Sequence, residues 1–138
     1  MPKVNEGKKF DVDLSFGEDA ERWVAWVFEV GGKRVECKAE RDWWLKTGNI
    51  VFEVSCRGRA SGLKTTLAHW WAQVLTHNGM PQGMVVFNTS LLLYNLRRLY
   101  SQGRVKLKSI GDDNASLCVV VPIAMIGELF VPLPVGGK

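Results

Sequence analysis

Two short stretches of this chain alternate apolar and polar residues with a period of two: Val35-Glu36-Cys37-Lys38 and Asn49-Ile50-Val51-Phe52-Glu53-Val54. Successive side chains of a strand point to opposite faces. A strand therefore puts Val35 and Cys37 inward and leaves Glu36 and Lys38 together on the other side. In the second stretch Ile50, Phe52 and Val54 share the inner face, while Glu53 and Ser55 share the outer one. The expectation is two neighbouring strands presenting Glu36, Lys38 and Glu53 side by side. Two close carboxylates form a hard-cation site of the kind that takes Mg2+ or Mn2+. A lysine beside such an ion can position or deprotonate an attacking water. That is the chemistry of phosphodiester hydrolysis. Glu-x-Lys by itself is common on ordinary surface strands, so the triplet needs support from elsewhere in the chain.

The length of 138 residues predicts one domain, with residues 1–14 as a polar arm and 131–138 as a loose tail rich in Pro and Gly. At 46% hydrophobic residues the chain can bury a core, and it shows no repeat or low-complexity stretch. No apolar run reaches membrane-spanning length, and the N-terminus lacks the apolar core of a secretory leader, so no membrane partner and a cytoplasmic location are expected. Cys37, Cys56 and Cys118 are three cysteines in apolar strand contexts without zinc-ligand spacing, which suits buried, reduced thiols. The net charge of +4 is unevenly placed. Residues 1–60 carry 11 basic and 11 acidic side chains, while residues 61–138 carry 7 and 3. An acid-rich half beside a basic remainder suits a protein that holds metal against a phosphate polyanion.

Periodicity predicts a mixed α/β domain with a central sheet. Phe16, Ala20, Trp23, Val24, Val27 and Val30 recur at helical spacing, giving a helix over about 17–28, although 27–30 also reads as a short strand paired through Gly31-Gly32. Strands follow at 34–38 and 49–56, with Glu40 and Asp42 in the loop between. A basic Gly/Ser loop covers 57–64. Thr65 or Thr66 caps a helix running to Leu75, with Leu67, Trp71 and Leu75 inward and His77 at its surface end. A short buried strand at 83–87, a helix capped by Ser90 and running to Leu99, and a hairpin of 105–109 with 117–121 complete the core. Residues 122–130 form a closing helical turn.

Glu36-Cys37-Lys38 after a helix, followed by a second acidic strand, resembles the PD-(D/E)XK nuclease superfamily. Glu40-Arg41-Asp42-Trp43, Thr47-Gly48-Asn49, Arg57-Gly58, Ser61-Gly62-Leu63, Thr65-Thr66 and Gly111-Asp112-Asp113-Asn114-Ala115-Ser116 extend the likeness to a small phage-type branch of those nucleases, over residues 16–122. The resemblance implies a restriction-endonuclease-like core, DNA as partner, Mg2+ or Mn2+ as cofactor, and action in phage DNA replication, recombination or processing in the infected host's cytoplasm. Two registers stay open. Glu36-x-Lys38 is the family's Glu-x-Lys pair with its preceding aspartate missing, or Glu36 fills the aspartate position and Glu53-Val54-Ser55 is the Glu-x-Lys site with Lys38 supplying the charge. Either way Glu36 and Glu53 are the metal ligands and Lys38 the catalytic cation. Gly17-x-x-x-Glu21 resembles the superfamily's helical glutamate motif, which makes Glu21 a further candidate ligand. Helix N-terminal acids also stabilise a helix without any catalytic task.

Arg57, Arg59 and Lys64 flank Gly58, Ser61 and Gly62, a pattern that brings cations and backbone N–H groups to phosphates. His69 stands where the family carries an acid and is read as a substrate contact. Trp43 and Trp44 sit in a polar loop, suited to stacking on bases or to filling a homodimer interface, with core packing for at least one of them. Three functions compete: a metal-dependent nuclease, a catalytically inactive DNA-binding protein of the same fold, and an oligomer-forming structural protein.

Overall fold

The computed structural model describes residues 18, 19, 21, 22 and 34–134. The arm at 1–14, the alternative strand at 27–30, Trp23 and the last residues of the tail lie outside them. Residues 18, 19, 21 and 22 are helical, as the periodicity predicts.

The chain is mixed α/β, but it forms two sheets in place of one central sheet. The first has strand order β1-β4-β5, built from Val35–Glu40 (β1), Trp70–His77 (β4) and Met80–Asn88 (β5). β1 runs parallel to β4, and β4 antiparallel to β5. The second sheet is antiparallel with order β3-β2-β7-β6, from Asn49–Cys56 (β2), Arg59–Ala60 (β3), Lys106–Ile110 (β6) and Ser116–Pro122 (β7). Helix α1 (Trp43–Thr47) links β1 to β2, and α2 (Thr89–Ser101) follows β5.

β2 and the β6–β7 hairpin form where alternation places them. The segment at 70–77 does not form the expected helix. Trp71, Val74 and Leu75 mimic helical spacing, yet this strand is covered on both faces. Trp71 packs in the main core while Ala72 and Val74 belong to a second cluster with Val35, Cys37 and Met84. A doubly buried strand shows no clean period of two. Thr65 and Thr66 consequently precede a strand, Leu67 is 81% exposed, and His77 ends β4, not a helix. The cap of α2 is Asn88, whose side chain accepts from Leu91 N at 3.1 Å, two residues before the expected Ser90.

The main core lies between the two sheets and α2. Ile50, Phe52, Val54, Val119 and Val121 from the second sheet meet Trp71 and Phe87 from the first and Leu92, Leu96 and Leu99 from α2. Phe87 is the hinge of the contact, edge-on to Phe52 at 5.9 Å and stacked on Phe130 at 5.0 Å. Full burial of each such side chain contributes roughly 1.5–3 kcal/mol. The 3-10 segment Ile123–Phe130 closes the core with Leu129, and buried Asn95 on α2 donates to the Leu129 and Val131 carbonyls.

Candidate functional site at the seam between the sheets

Glu36 and Glu53 do not stand on neighbouring strands of one sheet. β1 pairs with β4, and β2 pairs with β7 and β3. The reason lies in how the edge of β2 that faces β1 is satisfied. Its far end pairs with β3 at Ser55 and Cys56, but at Val51 side chains take the place of a backbone ladder. The Val51 N–H donates to Glu40 Oε2 at 2.7 Å, and the Val51 carbonyl accepts from Gln73 Nε2 at 3.1 Å. Gln73 Nε2 also reaches Glu40 Oε2 at 2.9 Å, and Trp71 Nε1 donates to Gln73 Oε1 at 2.8 Å. Thr76 Oγ1 donates to the Glu40 carbonyl, and Trp44 Nε1 donates to the Thr76 carbonyl. Glu40 is thus a buried clasp between the sheets and no loop charge. Burial pushes its carboxyl above the usual carboxylate range, opposed by the hydrogen bonds from Val51 and Gln73.

A second link lies at the other end of the seam. The loop at 61–66 rests on β2, with Ser61 N donating to the Val54 carbonyl at 3.0 Å. Ser61 Oγ donates to Glu53 Oε2 at 2.9 Å, and Ser116 Oγ from β7 donates to Glu53 Oε1 at 2.7 Å. One turn later Thr66 Oγ1 donates to Glu36 Oε1 at 3.3 Å. The turn is tight because Thr65 N and Thr66 N both bond the Gly62 carbonyl. Gly62 has φ +54, and a Cβ there would lie 2.2 Å from the Glu53 carbonyl oxygen, so only glycine lets the loop press onto β2 at this point. One loop turn therefore joins the two acids across the seam. Glu36, Lys38 and Glu40 share a face of β1 by alternation. With Glu40 fixed at Val51 and Glu36 at the loop on Glu53, Lys38 falls between the two fixed points.

The remaining candidates separate into near and far. Glu21 is exposed, and its charge acts on the Cys37 thiol, which lies on the opposite face of β1 from Glu36. That thiol is pushed up to about 12, by burial first and then by Glu21 and Glu36. Burial, with help from Glu53, likewise raises Cys118 to about 11. Both cysteines are held as unreactive thiols at neutral pH. Arg57 and Gly58 form the turn between β2 and β3, and Arg59 is the register partner of Cys56. Arg57, Arg59 and Lys64 are all exposed. The two tryptophans have different tasks. Trp44 packs against the core and spends its N–H on Thr76, so it is a structural residue and not a stacking platform. Trp43, on the short helix α1, is 68% exposed. His69 is exposed beside the start of β4. The 27–30 segment that distinguishes the two strand registers lies outside the described residues.

The oxygen-only donors at the seam suit a hard cation. Mg2+ commonly takes one or two carboxylates and completes its shell with water and substrate phosphate, so Glu36 and Glu53 are the side chains here that could hold one. Among the described residues no three His, Cys, Asp or Glu side chains converge as a metal cage. Sequence reasoning placed Glu40 in a loop and missed Gln73 and their pairing, because a buried polar pair 33 residues apart leaves no local pattern. No protein-family model matches the chain, and no curated protein or solved structure is significantly similar to it. Among the described residues no helix is long and apolar enough to cross a membrane.

Proposed function

We propose that the seam is the active site of a metal-dependent DNA nuclease that hydrolyses phosphodiester bonds with Mg2+ or Mn2+. The observation that carries this reading is the single turn, Ser61 to Thr66, that holds Glu53 at one end and Glu36 at the other, with Lys38 two residues along β1 on the face of Glu36. A divalent ion bound there would neutralise phosphate charge and lower the cost of forming the attacking hydroxide. Glu36 and Glu53 would hold that ion, and the serine and threonine hydroxyls fix their rotamers. Lys38 carries a positive charge to the scissile phosphate and orients water. Arg57, Arg59 and Lys64, on the elements that follow β2, contact neighbouring phosphates and set the strand's course. The resemblance in sequence adds phage DNA processing as the setting.

A second reading has its own support. Both oxygens of Glu53 accept from serine hydroxyls, an arrangement that also serves as a purely structural tie. On that reading the chain binds DNA without cutting it. Incubation with linear, circular and branched DNA in Mg2+, in Mn2+ and in EDTA separates the two. Cleavage that requires the metal is expected. Retained binding with no cleavage of any substrate in either metal selects the second reading.

A further inference from the structure

The face of the second sheet that carries Glu53 also carries a cleft of about 380 Å3. This volume lies in the range of small-ligand sites, roughly 300–1,000 Å3. Val51, Val120 and Ile110 give its lining apolar surface, and Glu40 also borders it. Trp43, Asn49, Arg41 and Lys108 stand around it. The register shows how the cleft adjoins the acid. Glu53, Cys118 and Lys108 are successive partners across β2, β7 and β6, and so are Val51, Val120 and Lys106. Side chains directly opposite one another share a face. Glu53 and Lys108 therefore stand two strand spacings apart, about 10 Å. Lys106 and Lys108 are exposed and enter no ion pair among the described residues.

We infer that this cleft receives one unpaired base of the DNA, so that the substrate is single-stranded or frayed DNA and not an intact duplex. The inference rests on the nucleic-acid reading of the seam. Each wall supplies one element of such recognition. Trp43 is a large aromatic surface left open to solvent, steadied by Lys46 Nζ 5.1 Å from its ring centroid. The apolar lining of Val51, Val120 and Ile110 accepts a flat ring. The Asn49 amide offers both a donor and an acceptor to a base edge. Lys106 and Lys108 meet the phosphates beside that base, with Lys108 about 10 Å from Glu53, within reach of the same strand. A base in a duplex keeps its hydrogen-bonding edge on its partner and its faces in the stack, and it can enter a walled cleft only after leaving both.

The test is binding in EDTA, which separates it from cleavage. Anisotropy of a labelled single strand and of its blunt duplex should show the single strand bound at least about tenfold more tightly, since the duplex must first break a pair and a stack. Trp43→Ala should weaken the single strand about 5- to 150-fold and leave the duplex within about twofold, as expected when one base no longer stacks. Trp43→Phe should keep most of the affinity. Lys108→Ala should lower the slope of log K against log salt on the single strand by about 0.7. A single strand carrying 5-iododeoxyuridine should photocrosslink to Trp43 in the unaltered protein, a readout independent of how the variants fold. Equal affinity for the two DNA forms, no binding of either, or a crosslink mapping away from the cleft overturns the inference. Strand-selective binding without cleavage leaves the cleft standing and removes the nuclease reading. Cleavage without strand preference does the reverse.

Discussion

Replacing Gln73 with leucine should unfasten the two sheets. Gln73 is 2% exposed and serves three partners at once: the Trp71 indole N–H, the Val51 carbonyl and the Glu40 carboxylate. Leucine fills most of the volume and satisfies none of them. A buried polar group left without a partner costs about 1–3 kcal/mol. Three partners give a loss of roughly 3–9 kcal/mol before relaxation. Added apolar burial by leucine returns about 1–2 kcal/mol, and Glu40 keeps its bond from Val51 N. The expected net destabilisation is about 3 kcal/mol, a large share of the roughly 5–15 kcal/mol that holds a small domain folded. Urea unfolding followed by fluorescence should show the midpoint falling with little change in slope. The loss should grow as pH rises, because the variant removes one of the two hydrogen bonds that favour the ionised form of Glu40. A change under about 1 kcal/mol, the worth of a single ordinary hydrogen bond, would refute the clasp, since it would mean that the sheets are held by apolar packing alone.

Glu40→Gln keeps an oxygen for Val51 N and Gln73 but cannot ionise. Burial raises the folded-state pKa of Glu40 above its unfolded value, so the native protein loses stability as pH rises through the folded value. Urea midpoints measured at a series of pH values from acid to neutral should therefore shift progressively in favour of the glutamine variant, and the opposite trend would contradict the assignment. Gly62→Ala places a Cβ against the Glu53 carbonyl at positive φ, and should cost at least about 1–2 kcal/mol in thermal unfolding while reducing DNA cleavage far more than DNA binding. Arg57→Ala/Arg59→Ala should weaken DNA binding in Ca2+ and lower the salt slope by about 0.7–0.9 for each phosphate left without its cation, with no dependence on sequence. An unchanged slope would make the β2–β3 turn a solvated loop.

Local periodicity is enough for β2, whose bounds of Asn49–Cys56 follow from alternation, and for the β6–β7 hairpin around its polar turn. It fails at β4, where burial on both faces erases the period of two and leaves Trp71, Val74 and Leu75 at helical spacing. It also fails for the relation of β1 to β2. Strand partners are a non-local property, and here Glu40 and Gln73 occupy the edge of β2 at Val51, which another strand would otherwise take. The acids Glu36 and Glu53 are legible because alternation assigns each a face, whereas the loop that joins them is visible only as a run of Ser, Gly and Thr. Trp43 and Trp44 are adjacent and identical in sequence, and only the fold shows that one is spent on Thr76 and the other is exposed.

The central claim is that Glu36 and Glu53 hold one divalent ion together across the seam. Titration of Mn2+ into the protein, followed by the decrease of the free-ion electron paramagnetic resonance signal, tests it without any DNA or turnover. Binding should disappear in Glu36→Gln and in Glu53→Gln, and should persist in Lys38→Ala, which instead loses DNA cleavage. Undiminished Mn2+ binding in both glutamine variants, with their folds intact by circular dichroism, would contradict the account.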